Sequence, residues 1–393
     1  TYLEQYLKSK VDLSKVKMIG ITGTNGKTTS CFLTYQLLNL LKVKTAYIGT
    51  NGFFIDDKVR DLNNTTPDLY DLYMMFEEAI LNDVKAVVME VSSHALEQRR
   101  IEGIEFDIAC YTNLTLEHID YHKTMDNYLN AKLKLFDKLR NKKIAIINKD
   151  DPYSKYFISK DNHNITYGKE GTASILDYQL YLNKSIIKLK LDKEYLITLN
   201  LPCKYNIYNY MNALLIALEL GHNIDEIIKL SSLLKPPKGR FDIVNYNSNV
   251  IVIDYAHTPD AVENILMNVE EYKENRIITI LGCGGDRDAS KRALMGKIAI
   301  DYSDFVIFTN DNPRNESEES IMKDIVSDLI KDNYIVIYDR EEAIIEGIKQ
   351  LKENDILLIL GKGHEDYQII GNEKIHFDDK EIVLRNIVNN KSM

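Results

Sequence analysis

The sequence predicts an α/β protein that contains two mainly parallel sheets, one in each half of the chain. Short apolar runs rich in β-branched residues alternate with stretches whose apolar residues recur at helical spacing. That alternation is typical of parallel sheets whose faces are covered by helices. A segment with two prolines and a glycine, residues 234–240, separates two such series. The 393 residues of the chain suffice for two or three domains of roughly 150 residues each.

The first series predicts a domain over residues 1–236. Its apolar runs indicate buried parallel strands at residues 16–22, 84–91, 106–113 and 142–149. Helices are predicted at residues 31–42 and 68–81, and from Asn206 to about Leu234. Between residues 172 and 201 the pattern changes, and this segment is predicted to form a small antiparallel β insertion.

The second series predicts a Rossmann-like α/β domain over residues 237–393. Its strands are predicted at residues 250–256, 276–282, 304–311, 334–339 and 356–363. Each of these runs ends in small or polar residues. Because the ligands of open parallel sheets bind beyond the carboxyl ends of the strands, we expect the chemistry of this domain at those ends.

The composition indicates a reduced, cytoplasmic protein. A net charge of −10 disfavours general binding to nucleic acid or acidic membranes. The cysteines are far apart and form no CxxC pair; they are Cys31, Cys110, Cys203 and Cys283. No apolar run approaches the ~20 residues of a membrane span, and the charged residues 1–17 do not resemble a signal peptide. We expect a monomer whose partners are small molecules.

A glycine-rich loop, residues 20–29 (GITGTNGKTT), follows the first predicted strand and opens a helix. Glycines let main-chain N–H groups approach phosphates, and a helix N-terminus adds the positive end of its dipole. In this arrangement Lys27 reaches the β- and γ-phosphates of a nucleotide and Thr28 binds Mg²⁺. A plain glycine-rich turn is the alternative, because Ile21 stands where phosphate loops usually have glycine. The predicted nucleotide-binding residues are Gly23, Thr24, Asn25, Gly26, Lys27, Thr28 and Thr29.

Glu90 lies near the end of the strand predicted at residues 84–91. A carboxylate at a strand end beside a phosphate loop is a natural ligand for Mg²⁺. An acid that caps the following helix is the alternative. The next predicted strand is followed by His118 and His122, and their position at another strand end favours a functional role over a structural one.

The loop sequence GTNGKTT resembles the ATP loop of the Mur ligase family, which includes folylpolyglutamate synthase and the C-terminal half of cyanophycin synthetase. The resemblance implies that residues 1–236 form a central P-loop-type parallel-sheet ATPase domain. It implies that His118 binds metal, although Glu117 stands where the family usually has aspartate. Lys132 matches the family's lysine that CO₂ converts to a carbamate, an anion that binds a second Mg²⁺. The expected catalytic residues are Lys27, Glu90, His118 and carbamylated Lys132, and the expected metal ligands are Thr28, Glu90, His118 and that carbamate.

Further matches to the family imply contacts with the rest of ATP. Asn206 and Asn209 match asparagines that hold the adenine, although Cys203 stands where the family usually has glycine. Arg240 matches a hinge arginine that contacts ATP, and Asp254 matches a ribose or hinge contact.

Two segments, residues 65–68 and 92–100, resemble those that bind the carboxyl substrate, a UDP-MurNAc-dipeptide. The residues carried over from these segments are Thr65, Thr66, Ser92, His94, Gln98 and Arg100.

Motifs of the second series resemble the MurE branch of the family, which adds the third amino acid of the peptidoglycan stem peptide. The motifs are residues 281–288 (LGCGGDRD), 311–314 (DNPR) and 361–368 (GKGHEDYQ), while KRA at 291–293 departs from the family's KRP. DNPR implies meso-diaminopimelate as the amine, because a guanidinium can bind the second carboxylate that lysine lacks. A surface arginine after a turn is the alternative for Arg314. By resemblance Arg287 and Arg314 hold carboxylates, and the other amino-acid-binding residues are Asp311, Asn312, Gly361 and Glu365.

The expected reaction is ATP-dependent amide formation through an acyl-phosphate, with Mg²⁺ and a lysine carbamate as cofactors. The family usually has a further N-terminal domain that binds UDP, and the first 16 residues are too few to replace it. We interpret the chain as a piece of a longer protein, or as an enzyme that uses a substrate with weaker or no UDP recognition. The alternatives are a Mur-type ligase for another carboxyl substrate, as folylpolyglutamate synthase is, and a non-catalytic subunit that keeps the fold.

Overall fold

The computed structural model describes residues 2–389, which form two compact units that divide between Pro237 and Lys238. Both units are α/β, as predicted. The strands of the first unit are β1 (Lys17–Thr22), β2 (Thr45–Gly49), β3 (Gly52–Ile55), β4 (Asp57–Arg60), β5 (Ala86–Glu90), β6 (Phe106–Tyr111), β7 (Leu139–Asn148), β8 (His163–Gly168), β9 (Ala173–Tyr181), β10 (Lys184–Lys190) and β11 (Glu194–Leu199). Its helices are α1 (Tyr2–Lys10), α2 (Lys27–Leu40), α3 (Leu69–Leu81), α4 (Ser93–Glu97), α5 (Ile119–His122), α6 (Met125–Leu133), α7 (Lys204–Glu219) and α8 (Ile224–Ser231).

The strands of the first unit form one sheet in the order β11-β10-β9-β8-β7-β6-β1-β5-β2-β3-β4. Adjacent strands from β9 to β2 pair in parallel, whereas β10 and β11 at one end of the sheet and β3 and β4 at the other end pair antiparallel. The segment predicted as an antiparallel insertion is β9 to β11. It continues the main sheet, because β9 pairs in parallel with β8 through Tyr167 and Ala173.

Both faces of the central strands are buried, which explains their continuous apolar runs. In β5, Ala86 and Val88 belong to the core cluster that includes residues of α2 and α7. Val87 and Met89 belong to the cluster that includes residues of α3. Because successive side chains of a strand point to opposite faces of the sheet, one run of apolar residues contributes to both core clusters.

The helical stretch predicted after Asn206 is two helices whose limits follow from backbone conformation. Cys203, immediately before α7, has a φ of 69°, in the left-handed region that glycine adopts most readily. This conformation gives a physical reason for the glycine that the family usually has there. After α7 the chain turns at Gly221, whose φ is 92°, and left-handed glycines commonly end helices.

The second unit has the strands β12 (Asp242–Tyr246), β13 (Asn249–Asp254), β14 (Ile277–Cys283), β15 (Phe305–Asn310), β16 (Tyr334–Val336), β17 (Ile356–Leu360), β18 (Tyr367–Ile370) and β19 (Glu373–His376). Its helices are α9 (Pro259–Glu270), α10 (Arg292–Tyr302), α11 (Glu318–Val326), α12 (Arg340–Lys349) and α13 (Asp379–Asn389). The main sheet has the order β12-β13-β17-β14-β15-β16 and is parallel except for β12. Within residues 2–389, every helix is too short or too polar to cross a bilayer.

A buried ion pair fixes the ends of two strands in the second unit. Arg340 and Asp379 are fully buried, and the guanidinium donates to both carboxylate oxygens at 2.8 Å. Arg340 also donates to the carbonyl oxygens of Asn310 at 3.3 Å and Leu360 at 3.1 Å. These are the last residues of β15 and β17, so one side chain holds both strand ends.

Replacing Asp379 with alanine is expected to lower the free energy of unfolding of the second unit by about 3–5 kcal/mol, because Arg340 would remain buried without its partner. Urea denaturation followed by circular dichroism measures the change. Glu341→Ala is the matched control, since Glu341 pairs with the exposed Arg385 and such pairs contribute about 1 kcal/mol or less. Equal losses in the two variants would contradict the structural role given to Arg340.

Candidate active site

The loop between β1 and α2 contains two glycines at which a side chain has no room. Gly26 precedes α2 with a φ of 83°, and a Cβ there would lie 2.3 Å from Oδ1 of Asn209. A Cβ on Gly23 would lie 1.8 Å from Oγ1 of Thr112. The loop therefore brings its main chain close to neighbouring segments and presents the first N–H groups of α2, the arrangement that binds phosphates.

The segment after β6 holds the phosphate loop in place. The N–H groups of Thr24 and Asn25 donate to the main-chain oxygen and to Oδ1 of Asn113, both at 2.8 Å. The N–H of Thr115 donates to Oγ1 of Thr24 at 3.0 Å. The same segment leads to His118, so the loop and the predicted metal-binding histidine share one support.

Two lysine side chains converge on one carbonyl oxygen of the loop. Nζ of Lys27 donates to the oxygens of Gly23 at 2.9 Å and Thr24 at 2.7 Å. Nζ of Lys132 donates to the oxygen of Gly23 at 2.7 Å and lies 4.3 Å from the ring centre of Tyr128. Lys132 is almost fully buried. Burial holds the pKa of Lys132 well below its ordinary value, and repulsion from the Lys27 ammonium lowers it further.

The carboxylate of Glu90 is fully buried and receives four hydrogen bonds. Oε1 accepts from the hydroxyl of Tyr47 at 2.7 Å and from the N–H of Thr50 at 2.8 Å. Oε2 accepts from Oγ1 of Thr28 at 2.8 Å and from Oγ1 of Thr50 at 3.2 Å. The hydroxyl of Thr50 lies 3.1 Å from that of Thr65. Two predicted metal ligands, Thr28 and Glu90, are therefore adjacent.

This pair fits Mg²⁺ that takes its other ligands from phosphate and water. Carboxylate and hydroxyl oxygens suit Mg²⁺, which usually keeps several waters and binds through one or two carboxylates. Within residues 2–389, no group of three or more His, Cys, Asp or Glu side chains is arranged to hold a metal by itself. A site completed by a nucleotide phosphate is consistent with both observations.

Three histidine rings lie close together in the segments that follow β5 and β6. The ring centre of His94 lies 4.8 Å from that of His118 and 5.5 Å from that of His122. Burial, followed by the neighbouring His118 and His122, lowers the pKa of His94 to about 4. Burial is also the main cause that lowers the pKa values of His118 and His122. A neutral imidazole offers a lone pair, which a metal ligand requires.

Four of the residues predicted to bind the carboxyl substrate form a connected group, namely Thr66, Ser92, Gln98 and Arg100. The N–H of Ser92 donates to Oγ1 of Thr66 at 3.0 Å. Arg100 donates to the main-chain oxygen of Thr66 at 3.0 Å and to Oε1 of Gln98 at 2.5 Å. Nε of Arg100 lies 3.3 Å from a carboxylate oxygen of Asp68. The structure thus brings the segments after β4 and β5 together.

The two asparagines predicted to hold adenine make hydrogen bonds within the protein. Nδ2 of Asn206 donates to the oxygen of Pro202 at 2.8 Å, and Nδ2 of Asn209 donates to Oδ1 of Asn206 at 3.2 Å. Oδ1 of Asn209 also accepts from the hydroxyl of Ser30 at 3.4 Å. Both side chains are buried. These bonds place Asn209 behind the phosphate loop, and the contact with adenine stays a prediction.

The predicted hinge residues Arg240 and Asp254 lie in the second unit. The Arg240 guanidinium lies 4.6 Å from the ring centre of Tyr255. Asp254 accepts from the N–H groups of Phe241 at 2.6 Å and Ala256 at 2.8 Å. Burial raises the pKa of Asp254 despite the opposing effect of Arg240. Asp254 therefore shapes this segment, and its contact with ATP stays a prediction.

Glycines after β14 make room for the DNPR loop. A Cβ on Gly285 would lie 1.9 Å from the oxygen of Pro313, and one on Gly284 would lie 2.9 Å from Nη1 of Arg314. Nη1 of Arg314 donates to the oxygen of Gly285 at 2.9 Å. Within residues 2–389, Arg314 donates hydrogen bonds to the protein through Nη1 alone, so Nε and Nη2 remain for a ligand. Arg287 is exposed, and its part in the site stays a prediction.

The remaining residues predicted to bind the amine surround a buried lysine. Lys362 is fully buried, and its Nζ donates to Oδ1 of Asn312 at 3.1 Å and Oε2 of Glu365 at 3.2 Å. Nδ2 of Asn312 donates to the same Glu365 oxygen at 2.8 Å. A Cβ on Gly361 would lie 2.7 Å from Oδ2 of Asp311. The sequence prediction omitted Lys362, although it lies in the same GKGHE motif as Gly361 and Glu365.

Comparison with known proteins assigns both units. Residues 21–217 match the Mur ligase middle domain, and residues 239–363 match the Mur ligase glutamate ligase domain. The chain belongs to the Mur ligase family. It is 44% identical over 385 residues to a UDP-N-acetylmuramoyl-L-alanyl-D-glutamate–2,6-diaminopimelate ligase of Fusobacterium nucleatum, a match that covers 96% of this chain and 78% of that one. A ligase of the same name from Clostridium acetobutylicum is 41% identical, covering 94% of this chain and 77% of the other.

Solved structures of the Mur ligase family agree with this assignment. A structure of a 2,6-diaminopimelate ligase has a TM-score of 0.71 at 31% identity and covers 99% of this chain and 81% of its own. Folylpolyglutamate synthase of Mycobacterium tuberculosis has a TM-score of 0.74 and 16% identity, with 92% of each chain covered. At that identity the second likeness extends to the fold alone.

Proposed function

We propose that this chain is an ATP-dependent ligase that joins meso-diaminopimelate to UDP-MurNAc-L-Ala-D-Glu during peptidoglycan precursor synthesis. The observation that carries the proposal is the position of Arg314. Its guanidinium is anchored on Gly285 and keeps donors for a second carboxylate. The names of relatives at 44% and 41% identity support the same substrates.

The reaction has two steps in this proposal. An oxygen of the D-glutamate γ-carboxylate attacks the γ-phosphorus of ATP, the bond to the bridging oxygen breaks, and ADP leaves. The amine nitrogen of diaminopimelate then attacks the acyl carbon, phosphate leaves, and the nitrogen loses a proton. Lys27 and the N–H groups of the loop stabilise the charge on the transferred phosphate. The residues that would hold Mg²⁺ are Thr28, Glu90 and His118, and bound Mg²⁺ supplies further positive charge.

The two units would divide the substrates between them. We assign ATP and the carboxyl substrate to residues 1–236, with Arg240 and Asp254 as additional nucleotide contacts, and the amine to residues 237–393. Arg287 and Arg314 would bind carboxylates. The ammonium and the distal carboxylate would be held by Asp311, Asn312, Gly361 and Glu365. We place the enzyme in the cytoplasm, as a monomer.

We further propose that Lys132 reacts with CO₂ to give a carbamate. The neutral amine attacks the carbon of CO₂ and releases a proton, which yields an anion. The lowered pKa of Lys132 supports this step, because only the neutral amine is nucleophilic. The carbamate anion would attract the Lys27 ammonium, and it would offer oxygens to a second Mg²⁺.

The carbamate predicts a ¹³C NMR signal from the intact protein in ¹³C-bicarbonate. We expect one protected carbamate resonance in the wild type and none in Lys132→Arg, whose guanidinium does not add CO₂. Lys134→Arg, at an exposed lysine close in sequence, is the control and should keep the signal. A resonance that persists in Lys132→Arg would assign the carbamate to another lysine.

A phosphate-release assay tests the whole proposal. UDP-MurNAc-L-Ala-D-Glu and ATP are supplied with meso-diaminopimelate, lysine or ornithine. We expect release that depends on the amine and is fastest with diaminopimelate. Preference for lysine or ornithine would overturn the amine assignment. The absence of release with every amine would instead favour another carboxyl substrate or a non-catalytic subunit.

A further inference from the structure

We propose that Tyr47 is a positioning residue that orients the Glu90 carboxylate for Mg²⁺ binding. The inference rests on the proposed function, in which Glu90 holds that ion. Tyr47 lies in β2, which pairs in parallel with β5, the strand that ends at Glu90. The Tyr47 hydroxyl donates to Oε1 of Glu90 at 2.7 Å, and both side chains are fully buried.

The space around this hydrogen bond excludes an additional side-chain carbon. A Cβ on Gly49 would lie 2.2 Å from Oε1 of Glu90 and 2.4 Å from the Tyr47 hydroxyl. Glycine at this position therefore lets the phenol and the carboxylate meet. The Tyr47 hydroxyl also accepts from the N–H of Asn51 at 3.4 Å, so it joins the carboxylate to the turn after β2.

The two carboxylate oxygens of Glu90 have different hydrogen-bond partners, which gives each oxygen a different function in this proposal. Oε1 is bound by the Tyr47 hydroxyl and the Thr50 N–H, whereas Oε2 lies beside the Thr28 hydroxyl. A hydroxyl group can rotate its proton and offer a lone pair to a metal. Tyr47 thus holds Oε1 and leaves Oε2 next to the other predicted ligand, Thr28. Hydrogen bonds of this kind commonly orient metal-binding carboxylates.

Packing of the aromatic ring does not require the hydroxyl. The Tyr47 ring meets Phe32 and Phe54 edge-on, with centres 5.6 Å apart in each case, and lies 6.3 Å from Tyr35. Phenylalanine would fill the same space. A buried hydroxyl destabilises a fold unless it is hydrogen-bonded. The Tyr47 hydroxyl is bonded to the Glu90 carboxylate and to the N–H of Asn51 in the turn after β2.

The test compares Tyr47→Phe with Tyr35→Phe in the full chain. The Tyr35 hydroxyl belongs to the same aromatic group but donates to the oxygen of Asp56 at 2.6 Å. Binding of fluorescent N-methylanthraniloyl-ADP is titrated with Mg²⁺ and repeated in EDTA. We expect Tyr47→Phe to raise the Mg²⁺ concentration for half-maximal binding about 10-fold. Metal-free binding should be unchanged, and Tyr35→Phe should match the wild type.

A double-mutant cycle with Glu90→Gln separates positioning from general packing. If Tyr47 acts through Glu90, Tyr47→Phe should have little further effect on the Mg²⁺ dependence of Glu90→Gln. Additive effects, an unchanged Mg²⁺ dependence in Tyr47→Phe, or equal shifts in the Tyr35 and Tyr47 variants would each overturn the inference. Because the probe reports binding, the cycle gives an answer even if phosphate release with diaminopimelate fails.

Discussion

Lys27→Ala is expected to lower the rate constant of phosphate release by about 10³-fold, the upper range for losing one preorganised donor to a transition state. Lys27 is part of the predicted phosphate loop, and its Nζ bonds to the oxygens of Gly23 and Thr24. Nucleotide binding would exchange these bonds for bonds to phosphate. Single-turnover phosphate release with saturating substrates measures the loss, since it separates chemistry from binding.

The matched control is Lys134→Ala, which removes an exposed lysine that pairs with Glu97. We expect the control to retain the wild-type rate. A fall of less than tenfold in Lys27→Ala would remove this lysine from the chemical step. Retained N-methylanthraniloyl-ADP binding in Lys27→Ala would show that the variant is folded.

Arg314→Ala is expected to raise the KM for diaminopimelate about 100-fold, because a charge-assisted bond to a carboxylate contributes about 3 kcal/mol and each 1.4 kcal/mol is tenfold. The KM for ATP should not change. The KM for lysine should also stay at its wild-type value, because lysine lacks the second carboxylate. The preference for diaminopimelate over lysine would therefore collapse, which steady-state kinetics with both amines would measure.

Arg314→Lys and Arg385→Ala complete this experiment. Lysine keeps the charge but loses the planar fork, so Arg314→Lys should recover only part of the affinity. Arg385 is an exposed arginine of the same unit, paired with Glu341, and its loss should leave both KM values unchanged. An unaltered KM for diaminopimelate in Arg314→Ala would refute the assignment of this arginine.

Local pattern predicted the parts of the fold that depend on local chemistry. The runs around β1, β5, β6 and β7 are buried on both faces, so their composition alone indicates parallel strands. The phosphate loop was also visible, since its glycines and Lys27 stand together in the chain. The residue pattern predicts the antiparallel segment, but its continuity with the main sheet depends on the pairing of β8 and β9.

Lys362 lies inside the GKGHE motif, whereas the other residues that the sequence does not reveal depend on contacts between distant segments. Tyr47 reaches Glu90 only because β2 lies beside β5, and no local pattern distinguishes this tyrosine from an ordinary core residue. Thr50 reaches the same carboxylate from the following turn. The left-handed conformation of Cys203 is likewise set by its surroundings, since its residue type favours other conformations.

The buried pair of Arg340 and Asp379 has a consequence for how new amine specificities can arise. Arg340 binds the carbonyls of Asn310 and Leu360, the residues immediately before the DNPR and GKGHE segments. The distance between the starting points of these two segments is therefore fixed by the buried Arg340 side chain, which belongs to the core of the unit. Loops that begin after these carbonyls can be exchanged between homologous enzymes while their anchor points are retained. Selectivity and foldedness can in this way vary independently during divergence or engineering.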